Sequence, residues 1–292
     1  MMSIKQKFKQ WLYTNYPSSK SKVEAFFANK PLLRRILNVG FSPTFRGWGM
    51  TTVANLPWSQ PAAFSGFEAD YSDCNKFLNN LISSKSFTLS QFSAENDISS
   101  VLEGLMWRHY IVYWSASFAA KNTKIRSKNL VECGVCDGLT AYFAMTALSN
   151  SGSEWQAYLY DAWGGMREDL LLQNEMDNKG VYSYLDVETT KANLSLFGDK
   201  VKFNQGYIPE SFSSADNPEE VVWMHIDLNS AVPTIAALEY FWDKLAAGGV
   251  VLFDDYGWPG YEDTRDMILE WFNGKDGSIL PLPTGQAIIF KG

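Results

Sequence analysis

The stretch Asn129-Leu130-Val131-Glu132-Cys133-Gly134-Val135-Cys136-Asp137-Gly138 decides the fold. It reads as a strand over 129–134, a tight glycine turn, and the start of a helix over 138–149. Glycines in a strand-to-helix turn let a ligand approach the backbone closely. The spacing is G-x-x-x-G, with the acidic Glu132 two residues before the first glycine. A pyrophosphate-binding dinucleotide turn needs G-x-G-x-x-G, which is absent. An acid at this place repels a pyrophosphate and suits the ammonium of an amino-acid-bearing cofactor. Taken alone, the turn reads more readily as a purely structural bend.

Strands and helices alternate downstream of this turn. Further strands are expected at 156–161, 200–204, 221–227, 250–254, 278–280 and 286–291, and helices at 187–197, 233–246 and 261–272. Pro233 suits a first helical turn, and Gly248-Gly249 a helix end. This alternation predicts an α/β fold of the Rossmann-like kind, a doubly wound, mostly parallel seven-stranded sheet with an N-terminal helical extension. The change of character falls near residue 128, giving an extension over 1–128 that contributes to the acceptor pocket and a cofactor domain over 129–292. In the extension, helices are expected at 3–14, 21–38 and 97–120. In the last of these, Ile98, Leu102, Leu105, His109, Val112 and Ala116 form one apolar stripe. Residues 41–66 read as an ordered loop carrying Trp48, Trp58 and Phe64.

Ligands of such sheets bind beyond the carboxyl ends of the strands. The second strand ends at Asp161, whose carboxylate can accept hydrogen bonds from a ribose diol; a loop or capping role is the plainer alternative. Glu132, Gly134, Gly138 and Asp161 persuade together, because one βαβ geometry accounts for all four. Cys133 and Cys136 form a C-x-x-C pair, but one lies inside the cofactor turn, so two small, partly buried residues are expected rather than a redox centre.

The fourth strand ends in His225-Ile226-Asp227 and the fifth in Asp254-Asp255. Neighbouring strands would bring three carboxylates into one crevice. They cannot all ionise in a dry pocket without a cation. Hard oxygen ligands favour Mg²⁺, so Asp227, Asp254 and Asp255 are the candidate metal ligands. His225 shares a strand face with Asp227 and is, with Asp227, a catalytic candidate, although a strand histidine is more often a satisfied core residue. His109 reads as structural. Residues 162–187 form a long connection, expected to act as a lid with Trp163 and the Trp48 to Trp58 segment.

The composition narrows the function classes. A net charge of −7 gives no general attraction to phosphate backbones, so nucleic acid is not an expected partner. No apolar run approaches the ~20 residues of a membrane span. Three cysteines suit a reducing compartment without a disulfide framework, so a cytoplasmic location is expected. Aromatic residues make up 15% of the chain, which suits an aromatic-lined pocket as well as an aromatic core.

These motifs together resemble the macrocin O-methyltransferase (TylF-type) family. The matching segments are Val131-Glu132-Cys133-Gly134, Tyr160-Asp161, Val201-Lys202-Phe203 through Gly206, and His225-Ile226-Asp227-Leu228. Pro233 through Glu239, Gly248-Gly249 through Asp254-Asp255-Tyr256-Gly257, and Thr284-Gly285-Gln286 follow. Arg46 through Thr52 and Leu56-Pro57-Trp58 are similar to the N-terminal part of such proteins. The chain departs from the family at Val135-Cys136-Asp137-Gly138, where Trp-Arg-Gly-Gly is frequent, and at Ala162-Trp163-Gly164-Gly165, where Ser-Phe-x-Gly is common. The resemblance implies a class I fold that uses S-adenosylmethionine (SAM) and Mg²⁺. It implies that Glu132, Gly134 and Asp161 hold SAM, and that Asp227, Asp254 and Asp255 hold the metal. Gly138, Gly206 and Tyr207 complete the expected cofactor contacts. The expected acceptor is a small molecule with a sugar-like or other diol; homo-oligomerisation is compatible with the sequence. The competing classes are a nicotinamide-dependent oxidoreductase, which lacks its glycine spacing here, and a non-catalytic nucleotide-binding protein.

Overall fold

The computed structural model describes residues 87–90, 106–122, 124–125 and 127–292, with Lys76, Asn80 and the backbone of Phe45–Arg46 and Gly49–Met50. The chain divides into two compact units, Met1–Phe64 and Ser65–Gly292. In the first, Phe45–Arg46 pairs antiparallel with Gly49–Met50. The helices expected at 3–14 and 21–38 lie outside the described residues.

The second unit is built on seven strands. In chain order its elements are α1 (Met106–Ala120), β1 (Lys128–Cys133), α2 (Leu139–Asn150), β2 (Trp155–Asp161), α3 (Val187–Asn193) and β3 (Val201–Gln205). Then come β4 (Val221–Ile226), α4 (Ala231–Phe241), β5 (Leu245–Phe253), α5 (Glu262–Phe272), β6 (Gly277–Pro281) and β7 (Ala287–Lys291). The strand order is β3-β2-β1-β4-β5-β7-β6. The first five strands run parallel, and β7 is antiparallel to both its neighbours. The seven-stranded, mostly parallel sheet read from the alternation is therefore present.

The central strands are apolar on both faces because helices cover both; all six residues of β4 are buried. Alternation along each strand sorts side chains between two cores. Leu130, Trp223 and Leu252 face α1 and α2 and pack with Val112, Ala116, Phe143 and Leu148. Val131, Met224 and Val251 face the other way and meet Leu238 and Phe241 of α4 and Ile268 of α5. Helix α1 is keyed to the sheet by polar contacts as well. The Trp223 indole donates to the Ser115 hydroxyl at 2.8 Å, and His109 stacks on Phe143 at 4.8 Å.

Two expected boundaries move. Helix α4 ends at Phe241, not at the glycine pair, and β5 begins at Leu245, so Gly248 and Gly249 lie inside the strand. Leu245 pairs with Val221 and Val250 with Trp223, so the register shifts between them. The two glycines take up the extra residues of that irregularity. The helix expected over 187–197 stops at Asn193, whose side-chain amide donates to the Thr88 and Asp137 carbonyls, and a 3₁₀ turn follows.

Candidate active site

The carboxyl ends of β1 to β5 open into one cavity of about 260 Å³. Its wall carries the Gly134 turn, Asp161, Gly206 and Tyr207 together with Asp227, Asp254 and Asp255. The two halves inferred from the sequence thus share one space.

Gly134 has φ +86°, and a Cβ there would collide with the carbonyl oxygen of Asp227. Only glycine lets β1 and β4 close this tightly at the cavity floor. Asp161 organises the turn. One carboxylate oxygen accepts from the Val135 and Cys136 amides at 2.7 and 2.9 Å, and the other accepts from the Trp163 amide at 2.7 Å. Burial raises its pKa, against the pull of those backbone N–H groups. Three of its roughly four acceptor sites are taken, which leaves room for one further donor. Gly138 is not part of the lining. It opens α2 at φ +86°, and a Cβ there would press on Leu194 and Thr190. Tyr207 donates its hydroxyl to the Gly165 carbonyl at 2.7 Å, and the Arg167 guanidinium lies over its ring.

Glu132 sits beneath the cavity rather than on its wall. It is fully buried, and its Oε1 lies 3.0 Å from Nδ1 of His225, also fully buried. Burial raises the Glu132 pKa. Burial would lower that of His225, but the hydrogen bond and charge of Glu132 and the charges of Asp227 and Asp254 outweigh it. Glu132 Oε2 and His225 Nε2 have no partner among the described residues. An orphaned buried nitrogen is costly unless a ligand satisfies it.

The strand ends hold the acid cluster. Asp254 follows β5, with its amide bonded to the Ile226 carbonyl at 3.0 Å, and Asp227 follows β4, with its amide on the Cys133 carbonyl at 2.9 Å. His225, Asp227 and Asp254 offer ligand atoms all within 4.8 Å of one another. A donor set of one imidazole and two carboxylates fits a divalent cation. Asp255 stands beside it, accepting from the Asn229 amide at 2.8 Å. Burial, then the charges of Asp227 and Asp254, push Asp255 well above the usual carboxylate range. Asp227 is raised by burial and by Asp254.

Several residues of the site carried no sequence signal. Arg108, beside His109 on α1, reaches both Asp254 (Nε to Oδ1, 2.7 Å) and Asp227 (Nη2 to Oδ2, 2.7 Å). Burial would lower its pKa, but the charges of Asp254 and Asp227 hold it above its ordinary value. Asn229, at φ +54°, donates to Asp227 at 3.2 Å and accepts from the Tyr261 hydroxyl at 2.6 Å. Gln286 donates to Asp254 at 3.1 Å. Only the arginine's place beside His109, within the apolar stripe, could have pointed to it.

The long connection contributes Gly164, Met166, Arg167, Leu170, Leu171, Tyr182 and Leu185 to the cavity wall. Trp163 does not cover the pocket: it is buried, with its indole donating to the Thr190 hydroxyl at 2.8 Å. The Trp48 to Trp58 segment, apart from the Gly49–Met50 backbone, lies outside the described residues. Cys133 and Cys136 carry free thiols; burial raises both, that of Cys136 to about 12, which opposes thiolate chemistry.

The comparisons agree with this geometry. A family model for macrocin O-methyltransferases (TylF) matches residues 118–273, more than half of the chain. Among curated proteins none matches. The O-methyltransferase NovP superposes with a TM-score of 0.53 at 17% identity, over 64% of this chain and 81% of its own, which shows the fold. The calicheamicin methyltransferase CalS11 gives 0.49 at 15% identity, over 87% and 98% of the two chains. The SAH-bound methyltransferase PaMTH1 of Podospora anserina gives 0.46 at 14%, over 82% and 100%. With a cofactor turn and an acid cluster on one cavity of a sheet of this order, the chain belongs to the macrocin O-methyltransferase (TylF) family of SAM-dependent O-methyltransferases.

Proposed function

We propose that the chain methylates a hydroxyl of a sugar or another small diol-bearing metabolite, with Mg²⁺ at Asp227, Asp254 and Asp255. The observation that carries this reading is the shared cavity, whose lining includes both the Gly134 turn and the acid cluster. SAM supplies the methyl group on a sulfonium. Mg²⁺ supplies Lewis acidity, lowering the pKa of a hydroxyl it binds and orienting a vicinal pair.

The chain's own residues do the rest. The backbone at Gly134, Gly206 and Tyr207 shapes the cofactor side, and the remaining acceptor site of Asp161 takes one ribose hydroxyl. Holding nucleophile and methyl at about 3 Å is the main rate contribution. Asp227 faces the cavity and accepts the acceptor proton, directly or through water. His225 has no place on the wall; paired with Glu132 beneath the cavity, it bears on Asp227 and the cation side of the site through its charge, a positioning role. Glu132 shapes the floor under the cofactor turn through the same pair.

Calorimetry with SAH, NAD and Mg²⁺ tests the assignment. SAH is expected to bind and NAD not. With a sugar diol acceptor, turnover should stop in EDTA and return with added Mg²⁺. Full turnover in EDTA would remove the metal from the mechanism while leaving the methyl transfer standing.

A further inference from the structure

Arg108 stands where a cation would. Its guanidinium bridges the ends of two strands, 2.7 Å from one oxygen of Asp227 and 2.7 Å from one oxygen of Asp254. These two aspartates also belong to the group of possible cation ligands. A planar fork between two carboxylates is a strong, directional arrangement. A divalent ion at ~2.0–2.1 Å from the same carboxylates would stand against the guanidinium, and two like charges cannot share that seat.

The surroundings favour movement of the side chain over movement of the helix. The body of α1 is fixed by the Ser115–Trp223 bond and the His109–Phe143 stack. Arg108 lies beside His109 on that helix, its side chain is 27% exposed, and it forms part of the cavity wall. Among the described residues, the stem therefore borders the cavity, into which it can swing. The other cavity arginine, Arg167, is already paired with Asp169 and Glu210.

We propose that Arg108 is the resident counter-cation of the acid cluster, and that a divalent cation loads by displacing its guanidinium from Asp227 and Asp254. This inference rests on the cluster being a metal site. Loading is then an exchange, and the arginine sets the apparent metal affinity. It also keeps the unloaded cluster from carrying three uncompensated acids.

The test compares the full-length protein with Arg108→Gln, which keeps much of the stem and removes the charge. Mn²⁺ and Mg²⁺ binding is followed by calorimetry, and Mn²⁺ also by electron paramagnetic resonance. The variant should bind Mn²⁺ about tenfold tighter, ~1.4 kcal/mol. Its metal-free melting point should be lower, and Mg²⁺ should raise it more than in the parent. Equal or weaker binding by a folded variant, with the parent binding normally, would overturn the exchange and leave the metal site intact. No Mn²⁺ binding by either protein would overturn both. Should Arg108→Gln not fold, the parent alone decides the matter. The Arg108 Nε–H resonance should be well resolved without metal, and it should shift and lose exchange protection on Mg²⁺ titration. A resonance unmoved at saturating Mg²⁺ would overturn the exchange.

Discussion

The two walls of the cavity solve the problem of a buried carboxylate in opposite ways. On the cofactor wall, Asp161 gives its oxygens to three backbone amides, so its charge is spent on holding the Gly134 turn in shape. At the ends of β4 and β5, Asp227, Asp254 and Asp255 crowd one another, and a single guanidinium reaches only two of them. The first wall is satisfied and pre-organised. In the second, burial first and then the neighbouring carboxylates raise the pKa values of Asp227 and Asp255. Satisfied groups fix a ligand's position, whereas unsatisfied ones mark where a charge is missing. The difference separates a binding wall from a reacting wall.

The sharpest way to break this contrast is Asp227→Asn. The amide keeps the shape and removes the charge from the reacting wall. Turnover should fall on the order of 10²–10³-fold, the range for losing one group that stabilises charge in a transition state. SAH affinity should be nearly unchanged, because the cofactor wall is built from other strands. A parallel loss of SAH binding in calorimetry would show that the walls are not separate.

Asp161→Ala attacks the other wall. SAH affinity should drop by about 1.5–3 kcal/mol, as for a hydrogen bond to a charged group. The melting point should fall as well, since the amides of Val135, Cys136 and Trp163 lose their acceptor. Unchanged affinity with a lower melting point would make Asp161 a scaffold only and place ribose recognition elsewhere.

Much of this contrast was legible in the sequence. The alternation of strands and helices carried the sheet, because central parallel strands must be apolar on both faces and therefore stand out. Asp227, Asp254 and Asp255 were legible because each follows a buried strand directly. The strand boundary at Leu245 was not, since a glycine pair marks a helix end and a strand irregularity with the same residues. Nor was the place of Glu132 below the floor: its position before Gly134 is the same in the sequence whether it faces the cofactor or His225. Arg108 was hidden because a long side chain on a helix can reach in many directions, and only the packing of α1 against β4 and β5 selects one.

The reacting wall also makes stability depend on pH. Asp227 and Asp255 have raised values in the folded chain, so between the ordinary carboxylate pKa of ~3.9 and those raised values the folded state binds more protons than the unfolded one. Stability of the metal-free protein should therefore fall as pH rises through that window. Mg²⁺ should flatten the slope, because it replaces the protons. Melting curves at a series of pH values, with EDTA or with Mg²⁺, read this directly. A slope of the same sign and size under both conditions would mean that the raised carboxylates lie outside the cation's reach.

The smallest expected effect concerns the connection between β2 and α3, which borders both walls. Its 164–171 part contributes Gly164, Met166, Arg167, Leu170 and Leu171 to the cavity, and Tyr182 follows further on. The middle part is differently held. Glu175 is buried; it accepts from the Ser230 hydroxyl at 2.8 Å and from the Ala231 amide at 2.9 Å, satisfying the N-terminus of α4. A tether of this kind fixes residues 173–178 whether or not a ligand is present. Ligand-dependent ordering is therefore confined to the flanks, and the buried Trp163 forms the anchored hinge where the segment leaves β2. In hydrogen exchange with SAH and an acceptor, amides in 164–171 and near Tyr182 should slow severalfold, on the scale of local openings rather than global unfolding. Amides in 173–178 should not change. Uniform slowing across the whole connection would mean that the segment moves as one lid and that the Glu175 tether opens with it. No slowing anywhere would leave the connection as a fixed wall of the pocket.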